Sequence, residues 1–353
     1  MELEGSSPFV FRTLWGCRKP YRSRREVYRP RVGRLFLKTL GGKAAMGIIT
    51  SSGDAPGIPL IDRSTCTVCG ECARICPTET LVAAEDGMRI NTATELGCIA
   101  CGQCMMVCPT DSIAVTGRRL VPHDLTDLPA AERRATFGQL ESLLLARRSI
   151  RRFRTDAVPR EVIDRVIAVA ATAPMGIPPW EVGISVFHGR DRVRELAWDT
   201  ADAYERMLRF FDGPLGKLFR MTMKKPLRQQ FLTFILPLGR TLVEGKKRGR
   251  DHVLYDAPAA LLFHASPYAD GADAFIACTY AMVGAEAIGL GSCMIGCVAP
   301  VLERRKDLMR KHGLPAGHVP KIVLIVGYPA VGFRKAVRRS FLTVAPDMGA
   351  SSV

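Results

Sequence analysis

Cys66-Thr-Val-Cys69-Gly-Glu-Cys72-Ala-Arg-Ile-Cys76-Pro77 is followed, after a gap, by Cys98-Ile-Ala-Cys101-Gly-Gln-Cys104-Met-Met-Val-Cys108-Pro109. Both runs read C-x2-C-x2-C-x3-C-P. That spacing lets three thiolates on one tight loop cap three corners of an iron–sulfur cubane, while the fourth, turned away before a proline, reaches elsewhere. Disulfides compete for eight close cysteines, but they belong to short secreted chains, and this one has 353 residues. Zinc sites use cysteine pairs, not two identical four-cysteine runs each closed by proline. The residues therefore point to two [4Fe–4S] clusters and to electron transfer.

From Pro59 to Gly117 the chain resembles two-cluster bacterial ferredoxins, in which the fourth cysteine of each run serves the other cluster. The resemblance assigns one cluster to Cys66, Cys69, Cys72 and Cys108, and the second to Cys98, Cys101, Cys104 and Cys76.

Such a unit takes about sixty residues, and the chain is long enough for a second core. The expected organisation is a basic arm and linker over 1–58, a ferredoxin domain over 59–118, a linker over 119–136 and a larger domain over 137–345. The net charge of +16 is uneven, with seven acids against four Arg in residues 59–118. The surplus lies in the arm (Arg18 to Arg34), around Arg147–Arg154, in Lys217–Arg250 and near the C-terminus. No nucleic-acid module accompanies it, so the arm is read as a surface for an acidic protein redox partner or a membrane. Residues 33–50 faintly resemble a twin-arginine export signal, but Gly33 stands where the first Arg belongs. With exposed clusters, a reducing cytoplasm is the expected compartment. The longest apolar run, Phe231–Leu238, is short of the ~20 residues of a membrane span and contains Pro237.

Beyond the clusters, Phe137, Leu140, Leu143, Leu144 and Leu145 recur at helical spacing, and a second helix is predicted after Pro159. Glu181–Phe187, Ala259–His264 and Lys321–Tyr328 read as strands, and Ala272–Leu290 as a buried helix. Helices and strands alternate, giving an α/β or α+β domain.

Arg147-Arg148-Ser149-Ile150-Arg151-Arg152-Phe153-Arg154 sets cations beside a hydroxyl between two helices, a pattern that can hold a phosphate. With Ala173-Pro174 leading to Pro179-Trp180, Tyr255-Asp-Ala-Pro258, Gly289-Leu-Gly-Ser-Cys-Met-Ile-Gly296 and Val326-Gly-Tyr-Pro329, the chain resembles the nitroreductase family from about Leu140 to Ser340. The resemblance implies an α+β fold, a homodimer, and FMN bound at the subunit interface. By position, Arg147, Arg148 and Ser149 would hold the FMN phosphate and ribityl chain, and Arg151 would lie near the pyrimidine side of the ring. A loop over Gly289–Gly296, with Gly291, Ser292 and Gly296, would offer backbone N–H groups beside the ring. Arg338 is favoured among Arg334, Lys335, Arg338 and Arg339 as a further phosphate partner. Pro174-Met-Gly-Ile-Pro-Pro-Trp180 departs from the family's Pro-Ser-x-x-Asn-x-Gln-Pro-Trp in being shorter and lacking Asn and Gln.

No Ser–His–Asp, Walker or paired-carboxylate constellation is found, and no glycine-rich dinucleotide fingerprint follows a strand. Cys278, Cys293 and Cys297 read as packed thiols rather than redox groups. The resulting expectation is an iron–sulfur flavoprotein oxidoreductase that passes electrons between the clusters and FMN. It would reduce a small electron-poor organic acceptor (nitro, quinone or similar), with NAD(P)H as one candidate donor. Two alternatives are an electron-transfer subunit relaying electrons to a partner complex and a specialised reductive flavoenzyme.

Overall fold

The computed structural model describes residues 57–118, 120–176, 181–337 and 339–341. The basic arm, part of the Met175–Pro179 stretch with Trp180, and Arg338 lie outside them.

The first part is built from one unit used twice. Val68 (φ 56°) and Gly70 (φ 78°) turn the first cysteine run through the left-handed region, and Ala100 (φ 55°) and Gly102 (φ 75°) do the same in the second. This region costs a residue with a Cβ 1–2 kcal/mol, so its use at Val68 and Ala100 marks a backbone fixed by what the thiols must reach. Each turn leads into a single helical turn, α1 (Glu71–Ile75) and α2 (Gln103–Val107). Around them are β1 (Ile58–Ile61), β2 (Leu81–Ala84), β3 (Gly87–Ile90) and β4 (Ile113–Thr116), forming the antiparallel pairs β1–β4 and β2–β3. Leu81, Met88, Met105, Ile113 and Val115 form a small core against Cys72 and Cys104.

The second part starts at a capping box. The Thr136 hydroxyl accepts from the Gln139 amide, and Gln139 Oε1 accepts from the Thr136 amide, opening α3 (Phe137–Ala146). Helix α4 (Arg160–Ala170) follows Pro159, and β5 (Val182–His188) leads into the long α5 (Arg190–Asp212). Then come α6 (Pro214–Thr222), α7 (Lys225–Gln230), a π-helical turn (Phe231–Ile235) and α8 (Leu236–Lys247). The chain continues through β6 (Ala259–Ala265), α9 (Gly271–Ala287), β7 (Gly291–Ile295), α10 (Ala299–Arg304), α11 (Lys306–Lys311) and β8 (Val319–Gly327).

Strands β5, β6, β8 and β7 lie in that order, every neighbour antiparallel. Alternation along β6 and β8 sends Leu262, Val323 and Ile325 to one face, packed on α5, α8 and α10 through Leu196, Leu242 and Leu302. Leu261, Phe263 and Leu324 face the other way, onto Ile163 and Val166 of α4 and Ala277 and Ala281 of α9. An antiparallel sheet covered on both faces is an α+β arrangement. Among the described residues, no helix is long and apolar enough to cross a membrane.

Candidate redox sites

The eight cysteines of the two runs surround two cavities. One is lined by Cys76, Cys98, Cys101 and Cys104, with Pro59, Leu81 and Val115. The other is lined by Cys66, Cys69, Cys72 and Cys108, with Met88 and Ile113. Each is ringed by three cysteines of one run and the last of the other. Among the described residues, no three His, Cys, Asp or Glu groups converge on a point suited to a single ion. The thiols instead stand around a space, as the separated corners of a cubane require.

The electrostatics are also paired. Burial raises the Cys76 thiol, but the Thr78 hydroxyl and the Leu81, Thr78 and Thr80 amides outweigh it and hold the thiol below its ordinary value. Burial likewise works against Cys108, where the Thr110 and Ser112 amides prevail; the Ser112 amide donates to Cys108 Sγ over 3.2 Å. Cys104 is pushed up to about 12 by burial and then by the neighbouring Cys101 and Cys98. Crowded thiolates of this kind are stabilised by a bound cation. The residues fit two iron–sulfur clusters.

A second group forms where the Arg147–Arg154 strap meets the sheet. Ser149 bridges to Ser292, and the Ile150 amide donates to the Ser292 carbonyl over 2.9 Å. Further on, the Arg154 amide donates to the Tyr328 carbonyl over 2.8 Å. The strap thus runs along the edge strand β7 and past the end of β8, with Ser149 and Arg151 exposed. Arg148 donates to the Leu145 and Arg147 carbonyls, both over 2.7 Å, capping the end of α3. Arg147 donates to Met282 Sδ at 3.5 Å. Arg147 and Arg148 also lie near Glu286, whose carboxyl is raised by burial and drawn back down by those two cations.

The Ser292 hydroxyl is fully buried and has no hydrogen-bond partner among the described residues. An orphaned buried hydroxyl beside an exposed serine and a run of cations suits a polar, anionic ligand laid against the strap. These residues fit the phosphate-bearing group that the resemblance implies.

The predicted Gly289–Gly296 loop is corrected by the structure. Gly291–Ile295 is β7, paired along β8 from Gly291–Gly327 to Ile295–Val323. Cys293 and Ile295 enter one core while Met294 packs on the other, the alternation of a strand. Gly291 serves packing: a Cβ there would lie 2.6 Å from Ile150 Cγ1. Gly296, past the strand, is exposed, and a Cβ on it would meet nothing within 4 Å. Arg334, Lys335 and Arg339 are exposed, and Arg338 lies outside the described residues.

Tyr255 and Asp256, which the sequence leaves between lining a substrate pocket and leading into a strand, both take left-handed backbone ahead of β6 (φ 59° and 50°). Asp251 ties this turn by accepting from the Val253, Leu254 and Asp256 amides at 2.8, 2.8 and 3.1 Å. Arg194 donates to the Asp256 carboxylate over 2.7 Å. The remaining thiols among the described residues are packed: Cys278 is pushed up to about 12 and Cys297 to about 11, both chiefly by burial.

A model of the nitroreductase family matches residues 144–328, more than half of the chain, and a 4Fe-4S dicluster domain matches residues 58–118. The chain belongs to the nitroreductase family and carries a 4Fe–4S dicluster ferredoxin domain ahead of the family region. No curated protein matches it. Among solved structures it is similar to an FMN-bound nitroreductase from Bacteroides fragilis, at 17% identity over 59% of this chain and 99% of that one, TM-score 0.43. It is also similar to an FMN-dependent nitroreductase from Clostridium difficile, at 18% identity over 60% of this chain and 100% of that one, TM-score 0.43. A third is iodotyrosine deiodinase bound to FMN and 3-iodo-L-tyrosine, at 20% identity over 59% and 98%, TM-score 0.38.

Proposed function

We propose that the protein is an iron–sulfur flavoprotein oxidoreductase in which electrons pass between two [4Fe–4S] clusters and FMN and on to a small, electron-poor organic acceptor such as a nitro compound or quinone. The observation that carries this reading is the presence, on one chain, of two four-thiol cavities and of a cationic strap beside the unpartnered Ser292 hydroxyl. FMN, when bound, supplies a centre that takes electrons singly and releases them in pairs.

The chain's own groups position and polarise. Arg147 and Arg148, beside Ser149, would hold the phosphate, with Arg148 oriented by its two carbonyl partners. Arg151 would set positive charge against the ring, favouring its reduction. Gly296 would leave room for close approach, and Arg338 would add a phosphate contact. We assign the ferredoxin domain to 59–118, its linker to 119–136 and the flavin domain to 137–345, after an arm over 1–58. The working form in this reading is a cytoplasmic homodimer, with NAD(P)H or a protein docked on the arm as donor.

The test is Cys72→Ser, assayed anaerobically with reduced ferredoxin as donor and a quinone as acceptor. The variant is expected to keep FMN and lose ferredoxin-driven turnover. Unchanged turnover would refute a route through the clusters, and a wild-type protein purified without flavin would refute the flavoenzyme.

A further inference from the structure

The segment between Asp212 and Glu244 contains no acidic residue, and it carries Lys217, Arg220, Lys224, Lys225, Arg228 and Arg240. Among the described residues, no ion pair involves Lys217, Lys224, Lys225 or Arg228; Arg240 alone of the six is paired, with Asp212 at 3.0 Å. The same segment exposes apolar side chains. On α6, Leu215 is 73% exposed, Leu218 62% and Met221 72%, and Leu227 of α7 and Phe234 of the π-turn are also exposed. Leu215, Leu218 and Met221 recur every three residues and share one side of the helix.

This helix is fixed in place. Gly216 packs so closely on the end of α5 that a Cβ there would lie 2.2 Å from the Phe210 carbonyl oxygen. Phe211 packs against Phe231 with ring centres 4.4 Å apart and approaches Phe219 at 6.1 Å, joining α5, α6 and the π-turn. The apolar face is therefore held outward by packing beneath it.

A second exposed apolar face lies elsewhere, on α3 and α9, with Phe137, Leu140, Leu144, Phe275 and Tyr280. It has few charges and suits a second copy of the chain. The α6–α7 face does not, because a two-fold contact through it would bring like charges together. The Arg-rich N-terminal arm carries the same sign. An apolar stripe flanked by unpaired lysines and arginines instead matches the headgroup and acyl boundary of an anionic bilayer. We propose that α6 and α7 form a docking surface for anionic membrane.

The full-length holoprotein would be co-sedimented with vesicles of phosphatidylcholine alone and of phosphatidylcholine with phosphatidylglycerol. Binding is expected only to the anionic vesicles. K217E/K224E/K225E should weaken it by more than about a hundred-fold, and L215S/L218S/M221S should weaken it measurably. All these positions are exposed, and retained iron, flavin and Tm would show that each variant folds. Undiminished binding by both variants would assign attachment to the arm and overturn the proposal. Loss in the charge variant alone would reduce the surface to a general polyanion site, such as nucleic acid would occupy, and equally overturn it. Dissociation of a dimer by the serine variant, without wild-type vesicle binding, would make the face an interface between copies.

Discussion

The Arg151 guanidinium carbon stands 5.8 Å from the centre of the Tyr255 ring, and Tyr255 presents that ring from left-handed backbone. An aromatic residue in that region is held there by its surroundings, here the Asp251 and Arg194 contacts to the turn. Tyr255 thus acts as a positioning residue for Arg151. Tyr255→Leu should make bound FMN harder to reduce by no more than about 20 mV, since such a contact is worth ~1 kcal/mol in all, only the part that differs between oxidised and reduced flavin counts, and 30 mV equals about 1.4 kcal/mol for two electrons. Tyr255→Phe should leave the potential near wild type, and Arg151→Ala should lower it further. A redox titration that finds no shift in the Leu variant would remove Tyr255 from this role.

Substitutions at Gly291 and Gly296 would separate packing from ligand approach. Gly291→Ala forces its Cβ against Ile150, whose own Cβ would be only 2.8 Å away, so the strap must shift. The expected cost is about 1–3 kcal/mol of stability, with loss of FMN on gel filtration. Gly296→Ala meets no protein atom within 4 Å, so its Tm should match wild type while its FMN affinity falls. Full FMN affinity in Gly296→Ala would place the ring away from this residue.

Parts of this architecture could be read from short stretches of sequence and parts could not. The eight cysteines were legible from their spacing within each run. The grouping of three from one run with the last of the other, seen in the linings of the two cavities, joins distant parts of the chain and came from the resemblance alone. Helices α4 and α9 and strands β5, β6 and β8 were legible as periodic or continuous apolar segments. Strand β7 was hidden, since Gly-Ser-Cys-Met-Ile is short and opens on two small residues; pairing with β8 settles its conformation. The excursion from α6 to α8 registered as charge and as the short apolar run Phe231–Leu238 but not as helices, because α6 buries just Gly216 and offers no buried period. The Arg151–Tyr255 contact joins residues about a hundred positions apart, and no local signal announces it.

His264 offers a pH test. It is buried, its Nδ1 lies 2.8 Å from that of His318, and its Nε2 lies 3.3 Å from Ser185 Oγ. Burial, and then His318, push it down to about 4 from an ordinary 6.5. A lowered folded-state value means that protonation favours the unfolded chain. Its stabilising contribution is therefore complete above pH 6.5 and declines as pH falls towards 4, by up to about 1.4 kcal/mol per unit. Denaturant melts between pH 7 and 4.5 should show a shallower loss for His264→Gln than for wild type. Parallel curves would show that His264 does not couple folding to pH in this window.

The crossed cysteine sets make the sharpest prediction. Cys108 belongs to the second run yet lines the cavity of Cys66, Cys69 and Cys72, and Cys76 lines that of Cys98, Cys101 and Cys104. Cys108→Ala should therefore cost the cluster of the first run, and Cys76→Ala that of the second. Each variant should retain about half the wild-type iron and one reduced-cluster electron paramagnetic resonance signal. The double variants decide the sorting. Adding Cys69→Ala to Cys108→Ala should remove little further iron, because both changes strike one site. Adding Cys101→Ala to Cys108→Ala should remove nearly all of it. The opposite pattern would mean that each run holds its own cluster, and the crossing would be wrong.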